Sequence, residues 1–299
     1  MSQTKTADKK ISSAFSQKVS DYKVLVKFKL NLLVVFSAIM AYLICAQGAV
    51  SWVSISVLAL GGFLVTGASN ALNQVLEKQH DLQMNRTKNR PVATGRMDVS
   101  EAVMAAGFMS LTGIIMLASF NACTGMLGMI ALISYAFIYT PMKRVSPVAV
   151  FIGAIPGALP VLIGCTAMQG EITALGLVLF GIQFMWQFPH FWAIAWMGHE
   201  DYTNAGFHLL PSASGELDSD VGKQCFIFAL LLLLVSVMPY FMGITGVISL
   251  IVLLAIGGAY AFYSWDLYKK CDRDAARKLM FCSFFYLPVS LIVLSLDKL

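Results

Sequence analysis

Long apolar stretches, separated by short polar segments, dominate the amino-acid sequence. A helix needs about 20 mostly apolar residues to cross roughly 30 Å of bilayer hydrocarbon. Nine stretches of comparable length lie at approximately 30–47, 52–73, 100–119, 123–140, 147–168, 173–195, 223–241, 244–263 and 279–296. The pattern predicts an all-α, polytopic membrane protein with about nine transmembrane helices.

The composition excludes a water-soluble globular protein. Of the 299 residues, 58% are hydrophobic and only 12% are charged, whereas charged residues make up about a quarter of an ordinary soluble domain. The six cysteines are scattered without a CxxC pair or metal-type spacing, so we expect them to be small core residues. Membrane lipids are the expected surroundings, and no nucleic-acid partner is expected.

The positive charges fall on one side of the predicted membrane. Every lysine and arginine except Lys298 lies in the N-terminal segment or in a loop that follows an even-numbered span. Because cytoplasmic loops carry an excess of lysine and arginine, the N-terminus is predicted to be cytoplasmic and the C-terminus outside, in a cell inner membrane. Residues 1–29, with seven lysines, are predicted to be a cytosolic tail, and 30–299 a single transmembrane domain.

Two long acidic loops follow the second and the sixth spans on the predicted cytosolic side. They are four spans apart, which favours two four-helix pseudo-repeats with a ninth helix added. We therefore expect the functional residues on the cytosolic face.

The first of these loops begins with a stripe of oxygen-bearing side chains. At about 100° per residue, Asn70, Asn73, Glu77 and Asp81 fall on one face of the helix that ends the second span. Amide and carboxylate oxygens suit a hard cation such as Mg²⁺, which is commonly shared with substrate phosphates. Such groups are costly at a membrane edge, so the stripe is predicted to hold Mg²⁺.

Basic residues follow the stripe. Arg86 and Arg90 come directly after it, and Lys143 and Arg144 occupy the next inward loop. Arginine binds phosphate oxygens in bidentate fashion, so carboxylates that hold a metal beside cations that hold an anion suit a diphosphate. The alternative is that these cations only follow the positive-inside rule.

A polar stripe also runs through the aromatic sixth span. Gln183, Gln187 and His190 lie at i, i+4 and i+7, a pattern that commonly supplies hydrogen bonds between packed helices. The alternative is a substrate-facing role, in which a neutral His190 binds a metal-centred ligand. Beyond the span, Glu200 and Asp201 are predicted to share a face with the first acidic stripe and to flank the same diphosphate or hold a second metal.

Together these motifs resemble those of a known family, the intramembrane aromatic prenyltransferases, and within it the branch that modifies heme. The resemblance extends from about Asn31 onward. It rests on Asn73-x-x-x-Glu77-x-x-x-Asp81 with Met84-x-Arg86-Thr87-x-x-Arg90-Pro91, on Tyr139-Thr140-Pro141-x-Lys143-Arg144, and on Trp186-Gln187-x-Pro189-His190-Phe191-Trp192 with Asp201-Tyr202-x-x-Ala205-Gly206. The chain departs from the usual pattern at Glu77, where the family has Asp, and at Gln79, where a further acid is common.

The resemblance implies a prenyl transfer. A farnesyl group would pass from farnesyl diphosphate to a vinyl side chain of protoheme IX, and water would supply the hydroxyl of the product. The implied Mg²⁺ ligands, which are also the implied catalytic residues, are Asn73, Glu77, Asp81 and Asp201. The implied substrate-binding residues are Arg86, Arg90, Lys143, Arg144, Gln187, His190 and Glu200.

Two other functions fit parts of the pattern. A related prenyltransferase would act on a phenolic or quinone precursor, which needs no histidine in the sixth span. A secondary transporter would place ionisable groups near the bilayer midplane, whereas here they cluster in the predicted cytosolic loops. For the prenyltransferase, formation of a homo-oligomer or association with heme A synthase is a further expectation.

Overall fold

The computed structural model describes residues 15–212, 215 and 217–299. In this part of the chain, nine helices are long and apolar enough to cross a membrane. They are α1 (Phe28–Cys45), α2 (Trp52–Leu76), α3 (Val99–Ala118), α4 (Ala122–Met142), α5 (Ala149–Gln169), α6 (Ala174–Met197), α7 (Ser219–Phe241), α8 (Val247–Lys270) and α9 (Arg273–Leu296). The predicted all-α, multi-pass membrane architecture is confirmed.

The helix ends differ from the predicted spans mainly on the side of the long loops. The eighth span was expected to end near 263 and the ninth to begin near 279, but α8 continues to Lys270 and α9 begins at Arg273. Hydropathy marks only the apolar part of a helix. Ion pairs at i,i+4 spacing, such as Asp266 with Lys270 and Asp274 with Lys278, support the charged turns beyond it.

The helices pack mostly against their neighbours in the chain. The two sets α1–α4 and α5–α8 meet where α4 and α1 pack against α5. Close approach at this contact depends on Gly164, where an added Cβ atom would lie 2.1 Å from the backbone oxygen of Ala38. Helix α9 packs against α6, α8 and α1. The arrangement is compatible with the expected two four-helix units plus one helix, whose internal repetition stays a prediction.

The lysine-rich N-terminal segment is partly built into the fold. Residues 15–25 are helical, with Leu25 fully buried. Asp21 pairs with Arg96 at 3.1 Å, and Lys18 pairs with Glu101 at 2.6 Å. The expected boundary at residue 29 is therefore not a boundary of packing, because charged residues of this segment find partners in the loop after α2 and on α3. Residues 1–14 of the expected tail lie outside the described residues.

The C-terminus lies beside the far end of α1. The Lys298 ammonium donates hydrogen bonds to the carbonyl oxygens of Leu43 and Ala46, where α1 ends, and the Leu299 amide donates to Ile244 at 2.9 Å. The start of α1 and the end of α9 are consequently at opposite ends of the bundle, as an odd number of crossings requires.

Candidate functional site

The second membrane helix ends at the centre of a polar cluster. Helix α2 stops at Leu76, Glu77 leaves helical geometry at φ −99° and ψ 8°, and a single further turn spans Lys78–Asp81. The expected uninterrupted helical stripe is therefore broken at Glu77. The breadth of the turn still leaves Asn73, Glu77 and Asp81 buried together, with exposed fractions of 1%, 4% and 0%.

Each buried carboxylate of the cluster is paired with one basic side chain. Arg90 donates to both carboxylate oxygens of Asp81, at 2.8 Å each, and the Lys143 ammonium contacts Glu77. Burial raises the pKa of Asp81 even though Arg90 opposes the shift, and burial lowers the pKa of Lys143 against the attraction of Glu77. The two pairs hold charges that would be strongly disfavoured there alone.

A wide turn in α4 supplies the wall opposite α2. Residues Ser134–Tyr139 form a π-helical segment, a feature frequently found at functional sites. The Thr140 hydroxyl donates to the carbonyl oxygen of Tyr135 at 2.9 Å and accepts from the Asn73 amide at 3.1 Å. Lys143 lies 4.9 Å from the centre of the Tyr139 ring and 5.3 Å from that of the Phe207 ring, so two aromatic rings flank this cation.

The two long loops meet over this cluster, as their predicted position on one face requires. The Asn85 amide donates to Asp201 at 3.0 Å, and Arg86 donates to the Tyr202 hydroxyl at 3.0 Å. Asp201 belongs to the short helix His199–Asn204, on which Glu200 is exposed. Contacts between residues 116 positions apart thus bring the first and second acidic loops together.

His80 connects the two long loops with the end of α4. The Arg144 guanidinium is hydrogen-bonded to His80 Nε2 at 3.0 Å. Since arginine can only donate, Nε2 accepts, and Nδ1–H donates to the carbonyl oxygen of Ala205 at 3.1 Å. Arg144 therefore contacts a histidine of the first long loop rather than a carboxylate.

The predicted metal ligands are only partly brought together. Across residues 15–212, 215 and 217–299, no three His, Cys, Asp or Glu side chains converge as a metal site. Asn73, Glu77 and Asp81 share one buried face, whereas Asp201 is engaged by Asn85 in the covering loop. The oxygen donors of the first three suit Mg²⁺, and the two carboxylates among them are paired with Lys143 and Arg90.

Gln187 and His190 lie elsewhere on α6 and are partnered. Gln187 donates to the carbonyl oxygen of Ala154 on α5 at 3.0 Å, which is the interhelical role that such residues commonly play. His190 Nδ1 lies 2.7 Å from the Ser283 hydroxyl on α9, and its ring stacks on Trp186 with centroids 4.5 Å apart. Within the described part of the chain, neither side chain is hydrogen-bonded to the acidic cluster.

Aromatic rings fill the space between α5, α6 and α7. Phe188 lies 4.7 Å from Phe151 and 4.2 Å from Phe228, measured between ring centroids, and Trp192 packs against the same rings. Both Phe188 and Trp192 are fully buried. Phe188 and Trp192 are thus enclosed by aromatic rings, while Phe151 reaches the outer surface of the bundle.

Three residues that the sequence did not single out also contact the site. They are Lys27, Tyr135 and His80. The Lys27 ammonium lies 3.4 Å from the Asn73 amide oxygen and 3.3 Å from the Tyr135 hydroxyl. Burial, reinforced by Arg90 and Lys143, lowers the pKa of Lys27 to about 7. A lysine before the first span looks like an ordinary positive-inside residue, so no local pattern distinguishes it.

Comparison with known proteins identifies the class to which this architecture belongs. Residues 34–287 match the UbiA prenyltransferase family, and the chain belongs to that family. A solved structure of digeranylgeranylglyceryl phosphate synthase matches this chain with a TM-score of 0.79 at 17% identity. The matched part is 94% of this chain and 98% of the synthase chain. A UbiA homologue from Archaeoglobus fulgidus bound to GPP and Mg²⁺ has a TM-score of 0.72 at 16% identity, covering 92% and 99%.

Closer relatives narrow the assignment. The protoheme IX farnesyltransferase of Cytophaga hutchinsonii is 41% identical over 279 residues, which are 93% of this chain and 97% of the relative. That of Thioalkalivibrio sulfidiphilus is 36% identical over 293 residues, covering 97% and 96%. Within the UbiA family, the chain therefore belongs to the protoheme IX farnesyltransferases, which agrees with the resemblance of its motifs to the heme-modifying branch.

Proposed function

We propose that the protein transfers the farnesyl group of farnesyl diphosphate to a vinyl group of protoheme IX, giving heme O and diphosphate. The observation that carries the proposal is the pair of buried carboxylates at the end of α2, each held by one cation, in a chain whose relatives are protoheme IX farnesyltransferases. Diphosphate is the leaving group that this set of charges would stabilise.

The diphosphate is proposed to bind where Arg90 and Lys143 now hold the acids. A multiply charged anion competes with a carboxylate for a cation in a site of low dielectric. Arg86 and Arg144, at the rim, would contact the outer phosphate oxygens. Arg90 and Lys143 then have a negative partner both before and after the substrate enters, which keeps these buried charges compensated.

Mg²⁺ fits the donors that the diphosphate would leave free. Asn73, Glu77 and Asp81 would hold it, with Asp201 brought in by the second loop and Glu200 at its edge. When bound, Mg²⁺ would stabilise the negative charge that develops on the leaving diphosphate. The lysines and arginines add fixed positive charge directed at the same oxygens.

The proposed reaction breaks the bond between C1 of the farnesyl chain and the diphosphate oxygen. The bonding electrons leave with the diphosphate, and the π electrons of the heme vinyl group form the new carbon–carbon bond. The positive charge that this leaves beside the porphyrin is taken up by water, which forms the hydroxyl and loses one proton. The dry aromatic interior would protect the allylic cation from premature capture.

The acceptor is proposed to lie beside α6. His190 would orient the heme or ligate its iron through a neutral imidazole, and Gln187 would line the same region from the α5 side. The protein is proposed to lie in the cell inner membrane, with the site open toward the cytoplasm and the C-terminus on the outer side. Self-association, or association with heme A synthase to pass on the product, belongs to the same proposal.

Mass spectrometry of heme extracted from expressing cells tests the reaction. The parent protein is expected to yield farnesylated heme and Asp81→Asn to yield at least 100-fold less, because one buried anion of the metal site is lost. Asp274→Asn removes an exposed carboxylate whose ion-pair partners among the described residues are Arg277 and Lys278, so this control should match the parent. Absence of farnesylated heme from a folded parent, with farnesyl diphosphate supplied, would sink the heme acceptor and favour a phenolic one.

A further inference from the structure

Lys27 occupies a backbone conformation that its residue type disfavours. Its φ is 49° and its ψ is 56°, in the left-handed region where a side chain crowds the backbone and glycine is preferred. Only one other described residue with a side chain has a positive φ, the exposed Cys271 at the end of α8. A strained position that keeps a long, charged side chain points to a use for that side chain.

Two amides of α2 hold this turn in place. Gln74 donates to the carbonyl oxygens of Val24 and Leu25 at 2.9 and 3.0 Å, and Asn70 donates to that of Val26 at 3.3 Å. The sequence stripe placed Asn70 beside the acids as a polar ligand, but here it fixes the backbone immediately before Lys27. The same face of α2 therefore positions the turn and forms the acidic cluster.

The turn that Asn70 and Gln74 hold directs the Lys27 side chain into the site. It lies next to the Asn73 amide oxygen and the Tyr135 hydroxyl, which are neutral groups. Among the residues that the structure describes, no carboxylate lies within ion-pair distance of Lys27, whereas Glu77 and Asp81 are each taken by another cation. Lys27 is thus a partly buried amine without a carboxylate partner, beside two acids, Glu77 and Asp81, that are already paired.

We infer that Lys27 is a binding residue for the diphosphate of the prenyl substrate, contacting it from the start of α1 in addition to Lys143 and Arg90. The inference rests on the proposed function for the identity of the substrate, but the probe it needs is inorganic diphosphate alone. An anion placed between these cations supplies the charge that Lys27 lacks, and it would convert a strained, uncompensated lysine into a paired one.

Titration calorimetry of the full-length protein in lipid nanodiscs, with inorganic diphosphate and Mg²⁺, tests this role. Lys27→Met and Lys27→Gly should each weaken binding by about 10- to 100-fold, the range for loss of one charge-assisted hydrogen bond. Lys27→Arg, which keeps the charge, should stay within about fivefold of the parent. Lys23→Met, which removes an exposed lysine of the same segment, should bind as the parent does.

Thermal unfolding separates binding from folding. Glycine relieves left-handed strain, so Lys27→Gly should unfold at the same temperature as the parent or higher. Cys271→Gly relieves the same kind of strain away from the site. It should also unfold at the parent temperature or higher, and its diphosphate affinity should be unchanged. Parent-like binding by Lys27→Gly, or weakened binding together with a lower unfolding temperature, would overturn the assignment. A parent protein that binds diphosphate but makes no farnesylated heme would refute the proposed reaction. It would not contradict the assignment of Lys27 as a diphosphate-binding residue.

Discussion

Asp81 and Arg90 form the most enclosed charged contact of the site. The carboxylate is fully buried, and both of its oxygens accept from the same guanidinium nitrogen. Burial raises the pKa of Asp81, which shows that desolvation outweighs the help that Arg90 gives the charged form. A pair of this kind contributes little net stability, but removal of one partner leaves the other unsatisfied.

Arg90→Met tests this at the scale of one residue. It should lower the free energy of unfolding by about 3 kcal/mol, because Asp81 is left buried without its cation. Adding Asp81→Asn to the same protein should recover a large part of the loss, since the orphaned charge is then removed. Arg277→Met, which breaks an exposed pair, should change little. Unfolding in denaturant measures all four proteins, and a parent-like Arg90→Met would contradict the reasoning.

Helix α4 shows how one element joins packing to the site. Its regular turns end at Ile133, and the π-helical segment Ser134–Tyr139 turns Tyr135 toward Lys27. The Thr140 hydroxyl secures both the wide turn and the Asn73 amide. Hydropathy predicted a helix here, but the wider turn depends on side-chain partners on α2, which a local pattern does not contain.

Thr140→Val tests the element because valine keeps the shape and removes the hydroxyl. We expect at least a tenfold loss of farnesyl transfer, since Asn73 loses the partner that orients it, with a loss of stability of about 1–2 kcal/mol. Thr166→Val removes a similar buried hydroxyl, bonded to Thr124, at the opposite end of the bundle. That control should lose comparable stability and keep its activity per folded molecule. Equal activity of the two variants would argue against a role of α4 in the site.

At the scale of the whole molecule, the bundle has a chemical polarity. The acidic cluster and the meeting of the long loops lie at one end, and the Lys298 contact with the end of α1 lies at the other. In the sequence, every lysine and arginine except Lys298 lies before the first span or in a loop that follows an even-numbered span. The loop after α2 forms part of the site, which predicts that this end of the bundle faces the cytoplasm.

Cys271 is a natural reporter of that orientation. It is exposed at the connection from α8 to α9, whereas the other five cysteines are buried or intermediate. The expectation that all six are core residues is therefore wrong for Cys271. A membrane-impermeant maleimide should label Cys271 in inside-out vesicles and not in spheroplasts, in which only the outer side of the inner membrane is accessible. Gln47→Cys, in the short connection after α1, placed in a Cys271→Ser background, should show the reverse. Labelling of Cys271 from the outside would reverse the proposed topology.

The sequence by itself determined the nine spans, the side on which their charges lie, and the residue types at the membrane edge. These properties depend on length, hydropathy and spacing along a single segment, and apolar length alone decides whether a helix can cross a bilayer. The sequence also indicated Asn73, Glu77 and Asp81 as one polar face, because three or four residues separate neighbours on a helix.

Only the tertiary structure decided which polar groups meet. In the folded chain, Asn70 is hydrogen-bonded to the backbone just before Lys27, and Gln187 to the backbone of α5. His190 is hydrogen-bonded to Ser283, and Asn85 to Asp201, which lies 116 residues further along the chain. Every polar side chain in a membrane bundle has several possible partners, and its actual one is set by how the helices pack. Lys27 entered the site for the same reason, since its direction comes from a turn held by another helix.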